Sequence, residues 1–310
     1  MKEFQKDLVS VILPVYNSEY FLTDAIKSIL NQTYSNLELI IIYDHSIDDS
    51  LDVIKKFLKL DSRTQIVNGR GKGLADALNL GIKKSKGEYL ARMDADDISH
   101  QLRLEKQLNF LKNNDFDICG CHWININEAG KEISRNRSSL SKESILIDLC
   151  ITAPFCHGSV LIKKSFLEKS NSLYRLNFIT EDYDLWTRIY NEGARFGNID
   201  DYLFSLRIRN DSLSASNKRI VSYHSRLIGN IFFDKNILKI SEVFNNQCSR
   251  IKKLDIIEKE RLAFTSLNLF LRKKNVYALR IFLVINPLMT LRVIIKLIYG
   301  YFLKVRFYFS

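Results

Sequence analysis

Fourteen residues, Gly87 to His100 (GEYLARMDADDISH), carry the densest chemistry in this chain. Glu88 to Met93 reads as a short strand, and at its end Asp94, Asp96 and Asp97 put three carboxylates into four positions. Like charges this close repel, and a cation relieves the repulsion. Hard divalent ions such as Mg2+ and Mn2+ take carboxylate oxygens and commonly hold substrate phosphates as well. Asp94 and Asp96 are therefore the candidate metal ligands. A helix cap needs one acid, and Asp97 is placed to supply it to the helix that follows.

A second acidic cluster, Thr180-Glu181-Asp182-Tyr183-Asp184-Leu185-Trp186, has the apolar register of a helix. Its acids suit a solvated first helical turn. They equally suit a general base that takes a proton from an attacking hydroxyl. Gly69-Arg70-Gly71-Lys72-Gly73 fits neither a P-loop nor a dinucleotide fingerprint. It reads as a flexible turn from which Lys72 or Arg70 reaches a phosphate, or as a plain loop. His157 stands alone in Phe155-Cys156-His157-Gly158-Ser159, with no Ser/His/Asp elbow and no HExxH. Cys119-Gly120-Cys121 is one residue short of a CxxC, and no second pair follows, so it reads as strand rather than metal site.

The elements that must position these residues alternate. Continuous apolar runs at 8–15 and 37–43 read as strands buried on both faces. Shorter strands are expected at 65–67, 88–93 and 116–121, with helices at 19–31, 48–60, 73–85 and 101–113 between them. This is the rhythm of βαβ units and a parallel sheet covered on both sides. Ligands in such sheets sit beyond the carboxyl ends of the strands, where Asp44 and Asp94 both fall. After residue 121 a hairpin over 124–133, helices near 142–150 and 181–192 and a strand at 158–162 are expected. From 212 onward only helices are expected.

With 310 residues, the chain is long enough for one large α/β domain and an appendage. Its net charge of +11 is lopsided: residues 250–310 hold thirteen Lys/Arg against three acids. A near-neutral body with a basic tail suggests an anionic membrane surface or a nucleic acid as partner. Five cysteines in a chain this long imply no disulfide framework. The N-terminus reads straight into a strand without a signal peptide, which places the chain in the cytoplasm.

Six motifs stand in the order of a known family: Pro14-Val15-Tyr16-Asn17, Asn31-Gln32-Thr33-Tyr34, Tyr43-Asp44-His45-Ser46 through Ser50, Gly73-Leu74 through Asn79 and Gly81, Gly87-Glu88-Tyr89 into Arg92-Met93-Asp94-Ala95-Asp96-Asp97, and Glu181 to Trp186. Over roughly residues 8–210 the chain resembles the inverting family 2 glycosyltransferases of GT-A fold. The likeness is to bacterial members that build capsule, O-antigen and other surface polysaccharides. The resemblance implies a GT-A domain over 1–210, Rossmann-like with a mostly parallel sheet and helices on both faces. It implies that Pro14, Val15, Tyr16, Asp44, Lys72, Asp94 and Ala95 bind a nucleotide-sugar donor. Asp94 and Asp96 would hold a divalent cation (Mn2+ or Mg2+), and Asp182 would be the catalytic base supported by Glu181. His157, Trp186, Arg207 and Arg209 would lie near the acceptor or diphosphate. The chain departs from the family pattern at Tyr43 for Asp, His45 for Gly, Arg209 for His, and Gly158 for Pro.

The region 211–310 is expected to be helical. In 276–310 the longest uncharged run, Ile281 to Leu291, has eleven residues and contains Pro287, too short for a bilayer span of ~20. Arg292, Lys296 and Lys304 share one arc of a helix whose remainder is apolar and aromatic. That pattern suits a helix lying in the membrane interface, here the cytoplasmic face of the inner membrane. A helix packed on the protein's own core is the other reading. Sparse basic groups within an apolar segment argue against nucleic acid. The expected function is metal-dependent glycosyl transfer to a glycan or polyprenyl-diphosphate-linked acceptor. A catalytically inactive membrane-associated scaffold of the same fold is the alternative.

Overall fold

A computed structural model describes residues 4–170, 173–176, 178–209 and 216–246. Two compact units are present: 1–142 with 152–228, and 143–151 with 229–310.

The first unit is built on a nine-stranded sheet. Its first half is wound as the apolar runs dictate. Strands β1 (Gln5–Val15), β2 (Leu37–Tyr43), β3 (Thr64–Asn68) and β4 (Gly87–Arg92) alternate with helices α1 (Glu19–Leu30), α2 (Ser50–Leu60) and α3 (Leu74–Lys84). They pair in parallel in the order β3-β2-β1-β4. In β1 and β2 every residue from Leu8 to Leu13 and from Leu37 to Ile42 is buried, because helices cover both faces. Helix α1 buries Leu22, Ala25, Ile26 and Ile29, one stripe at helical spacing.

Beyond β4 the winding changes. The two-residue β5 (Ile98–Ser99) leads to α4 (Arg103–Asn113), then β6 (Ile118–Ile126) and β7 (Glu132–Asn136) make the expected hairpin. A 3-10 turn at His157–Ser159, β8 (Leu161–Lys163), α6 (Lys164–Lys169), α7 (Glu181–Asn191) and β9 (Phe196–Arg207) complete the unit. The sheet continues from β4 as β8-β6-β9-β5. β8 is antiparallel to both neighbours, and β5 is antiparallel to β9. Only the half up to β4 is therefore uniformly parallel.

Strand β9 was not expected. The first half of its sequence, FGNIDDYLFSLR, carries Gly197, Asn198, Asp200 and Asp201, poor strand formers. It forms because it pairs along nine positions of β6, from Ile118↔Phe196 to Ile126↔Arg207. That pairing carries Arg207 and Arg209 to the mouth of β4.

In the second unit α5 (Lys142–Asp148) begins its first segment, and the long α8 (Lys218–Asn246) enters from the first unit. Its buried apolar residues include Ile145, Leu146, Ile147, Leu149, Phe232, Phe233 and Ile240. Among the described residues no helix is long and apolar enough to cross a membrane. The basic tail, 276–310, lies outside the described residues.

Candidate active site

Three strand ends form one side of the site. Asp44, one residue past β2, donates its N–H to the Val15 carbonyl at 3.0 Å, which fixes it beside β1. Its Oδ1 accepts from the Gly71 N–H at 2.6 Å. Gly69 is required behind it, since a Cβ there would lie 2.3 Å from that same oxygen. Next to it His45 holds a φ of +57°, a left-handed conformation that favours glycine. Tyr43 turns its hydroxyl away to donate to the Ser46 carbonyl at 3.0 Å. Tyr16 is 62% exposed beside Asp44's strand end, whereas the side chains of Val15 and Ala95 are buried in the core. Val15 thus meets the site through its backbone. Pro14 is half-buried and Lys72 exposed on the loop. In that loop Arg70 pairs with Asp76 at 3.1 Å.

At the end of β4 the three acids have separate partners. Asp94 pairs with the buried guanidinium of Arg92. Asp96 faces Arg209 at 3.4 Å. Asp97, 1% exposed, turns inward and accepts the Arg207 N–H at 2.8 Å. Burial and then the negative charge of Asp94 push the Asp96 carboxyl up. Burial, Asp94 and Asp96 push Asp97 up further. The cluster therefore retains a deficit of positive charge beside its two arginines.

Arg207 is committed elsewhere. Its guanidinium donates to the carbonyls of Asp96 (2.7 Å), Asn127 (2.9 Å) and Glu128 (2.7 Å). It ties β9 to the acidic turn and to the β6–β7 turn. Arg207 and Arg209 both stack over the Phe21 ring, at 4.5 and 5.2 Å.

The second acidic cluster splits by role. Asp184 is buried between Arg188 (2.8 Å) and Arg175 (3.2 Å), a structural pair of bridges. Glu181 and Asp182 face the site. Burial raises the Asp182 carboxyl, while the Tyr183 and Asp182 N–H groups and Arg92 oppose that rise. Burial and the neighbouring Asp182 push Glu181 up to about 7. Arg92 also favours the charged form of Glu181, and Asp94 disfavours it. One guanidinium thus acts on Asp94 and on both Glu181 and Asp182.

His157 lies against Glu181, with Nδ1 3.8 Å from Oε1, and its Nε2 is 3.0 Å from the Tyr174 hydroxyl. Burial and the Arg92 charge hold its pKa well below the ordinary value, so the ring is neutral. Trp186 is fully buried behind it, edge-on at 5.9 Å. It supports the imidazole rather than lining an opening. Asn79 on α3 clamps the Tyr174 backbone, donating to its carbonyl at 2.8 Å and accepting its N–H at 3.0 Å.

The fold thus brings Asp94, Asp96, Glu181, Asp182, His157 and Arg209 together and sends Arg207 into the framework. Arg92, Tyr174 and the role of Asn79 were missed by sequence reasoning. Arg92 lies inside an expected buried strand, where a charge reads as an anomaly and is itself the signal. Tyr174 carries no local signal.

The donor set fits a divalent cation. Asp94 and Asp96 offer hard oxygens one residue apart at a strand end, and Mg2+ or Mn2+ is commonly held by one or two carboxylates plus phosphate oxygens. The unrelieved repulsion at Asp96 is the electrostatic demand such an ion meets.

The sheet order, the acids at the end of β4 and the carboxylate pair opening α7 set one acidic site at the carboxyl edge of an α/β sheet. The family model "Glycosyl transferase family 2" matches residues 10–170. The chain is 36% identical over 218 residues to the O-antigen biosynthesis glycosyltransferase WbnJ of Escherichia coli, covering 68% of this chain and 83% of that one. It is 35% identical over 209 residues to EpsE of Bacillus subtilis, covering 66% and 74%. The chain therefore belongs to glycosyl transferase family 2. In fold it is similar to S. aureus TarS 1-349 in complex with UDP-GlcNAc (TM-score 0.59, 15% identity, 88% and 89% covered). It is likewise similar to the mannosyltransferase PcManGT of Pyrobaculum calidifontis in complex with GDP-Man and Mn2+ (TM-score 0.55, 15% identity, 89% and 85% covered).

Proposed function

We propose that this glycosyltransferase moves a hexosyl or N-acetylhexosaminyl group from a UDP-linked donor, with inversion, to a hydroxyl of a glycan or polyprenyl-diphosphate-linked acceptor in surface polysaccharide assembly. The observation that carries the reading is the convergence of Asp94, Glu181 and Asp182 on one buried arginine, Arg92, with Asp96 beside Asp94 and paired to Arg209. The O-antigen role in WbnJ's name and the UDP-GlcNAc bound by TarS support the donor and pathway class.

In this mechanism Asp44 receives the nucleotide base, and Tyr16 packs beside it. Asp94 and Asp96 would hold Mn2+ or Mg2+, whose chemistry is to neutralise charge on the leaving diphosphate. Arg209, on the far side of Asp96, supplies a second cation for that diphosphate. Asp182 takes the proton from the acceptor hydroxyl, which attacks the anomeric carbon opposite the leaving group. The configuration inverts, and no covalent enzyme intermediate is required. Ionised Glu181 beside Asp182 increases its basicity, so ionisation of Glu181 near pH 7 sets the acid limb of the rate. The enzyme works on the cytoplasmic face of the inner membrane, docked by the basic tail at 276–310.

The test is thermal stability with UDP, GDP, dTDP and CMP, each with and without Mn2+. A ligand at 100 times its dissociation constant adds ~2.7 kcal/mol. UDP stabilisation that needs Mn2+, together with a rate loss of ~100-fold or more in Asp182→Asn, is the expected result. Absence of any nucleotide effect refutes the reading. Deleting 276–310 should move the enzyme from the membrane to the soluble fraction; retention on the membrane refutes the docking role.

A further inference from the structure

Three side chains outside the two acidic clusters converge on the α7 acids: Tyr174, His157 and, behind them, Asn79. We propose that Tyr174 and His157 form a positioning pair for the catalytic dyad, in which the Tyr174 hydroxyl donates to His157 Nε2 and thereby fixes the imidazole proton on Nδ1, aimed at the Glu181 carboxylate. The inference rests on the transferase reading of Asp182 and Glu181 and specifies how that dyad is held.

The geometry is restrictive at each link. The Tyr174 hydroxyl is 3.0 Å from Nε2, and Glu181 Oε1 is 3.8 Å from Nδ1 on the opposite side of the ring. The imidazole is held by Tyr174 (centroids 5.5 Å apart) and by the edge-on Trp186 at 5.9 Å. The backbone beside it is equally confined. A Cβ on Gly158 would lie 2.4 Å from Phe204 and 3.2 Å from the Arg92 guanidinium. Tyr174 in turn is fixed at its backbone by both atoms of the Asn79 amide.

Once Glu181 is ionised, the tautomer follows from elimination. Burial raises the Tyr174 phenol far above its ordinary range, so it is a donor-competent hydroxyl and not a phenolate. The imidazole is neutral and carries one proton. With that proton on Nε2, the bare Nδ1 lone pair would face an ionised Glu181 carboxylate, a repulsive contact. With it on Nδ1, both ring nitrogens are matched: Nε2 accepts from Tyr174 and Nδ1–H points at Glu181. At 3.8 Å the second contact is electrostatic, and such contacts commonly tighten into hydrogen bonds when substrate closes the site. The charged groups facing Glu181 are Asp182 on its own helix and Arg92 and Asp94 from β4. Arg92 already favours the Glu181 anion, and the Nδ1–H adds a directed donor from the other side. The pair thus keeps Glu181 ionised next to Asp182 at a pH where burial alone favours its acid form.

Two measurements on the full chain decide this. The first is the nitrogen NMR spectrum of the histidine-labelled protein, with His157 assigned from a His157→Gln variant. A neutral Nδ1–H tautomer at pH 8, above the Glu181 ionisation, is expected, and Tyr174→Phe should convert it to a mixture. An Nε2–H tautomer or an imidazolium overturns the proposal, whether or not activity is found. The second is the kcat–pH profile of Tyr174→Phe, which keeps the ring and loses only the donor. The acid limb should move to higher pH, with about a tenfold loss on the limb, recovery in alkali and an unchanged donor KM. A loss that is equal at all pH values, or a limb that stays in place, assigns Tyr174 a merely structural role and overturns the proposal. A wild-type chain that binds no nucleoside diphosphate and transfers no sugar defeats the transferase reading instead, and the imidazole spectrum still decides the pair.

Discussion

Replacing Asn79 by Ala tests how the base-bearing side of the site is tied to the nucleotide side. The Asn79 amide makes two hydrogen bonds to the backbone of Tyr174, at 2.8 and 3.0 Å, ninety-five residues away in sequence. Both residues are buried, at 9% and 5% exposure, so water replaces neither bond easily. Truncation leaves a buried N–H and a buried C=O unpaired, at about 1–3 kcal/mol each. The expected destabilisation is therefore ~2–6 kcal/mol. At ~2–4 °C per kcal/mol for a domain of about this size, Tm should fall by roughly 4–24 °C. Asn79→Asp keeps the acceptor for the Tyr174 N–H but sets an oxygen against the Tyr174 carbonyl, so it should lose at least half as much. Differential scanning calorimetry with and without UDP measures the loss, and steady-state kinetics reads the consequence. Where the variants remain folded, kcat should drop while the Kd for UDP holds, because the freed segment carries Tyr174 and not the base pocket. A Tm within about 1 °C of wild type for Asn79→Ala would refute the view that these two bonds anchor the segment.

Three further outcomes follow from the same geometry. Glu181 is raised from its ordinary value to about 7, so the native state binds its proton more tightly than the unfolded chain. Sign and window follow: stability falls as pH rises from about 4.5 to 7, by on the order of 3 kcal/mol at most. Glu181→Gln should flatten that fall in urea melts at pH 5 and 8 and remove the acid limb of kcat; identical slopes for both proteins would contradict the assignment. Gly69→Ala forces a methyl into the Asp44 carboxylate at 2.3 Å and should weaken UDP binding about tenfold in calorimetry, with the affinity for Mn2+ alone unaffected. His45→Gly removes a side chain from a left-handed residue and should leave Tm unchanged or raise it by a degree or two, whereas a fall of several degrees would mean that the ring contributes packing.

The motif residues were legible because their signals are local. Buried runs made β1 and β2 readable, and clustered acids marked Asp94, Asp96, Glu181 and Asp182, since chemistry that needs adjacent carboxylates must write them close together. The mostly parallel sheet was legible in the rhythm of the first four strands, and the antiparallel β8 and β5 are its exceptions. Strand β9 was illegible because Gly197, Asn198, Asp200 and Asp201 interrupt its first half, and its full length depends on pairing with β6, some eighty residues earlier.

By itself the sequence determined which groups can bind, neutralise and take protons, because side-chain type and close spacing suffice for that. The tertiary structure alone decided their partners. It sent Asp97 and Arg207 into each other and left Asp96 to Arg209. It took Asp184 out of contention by placing it between two arginines. It set Arg92 between two acidic clusters some ninety residues apart, and put Tyr174 on His157. Such assignments follow from long-range strand pairing and burial, which fix the distances on which every Coulomb interaction and hydrogen bond depends.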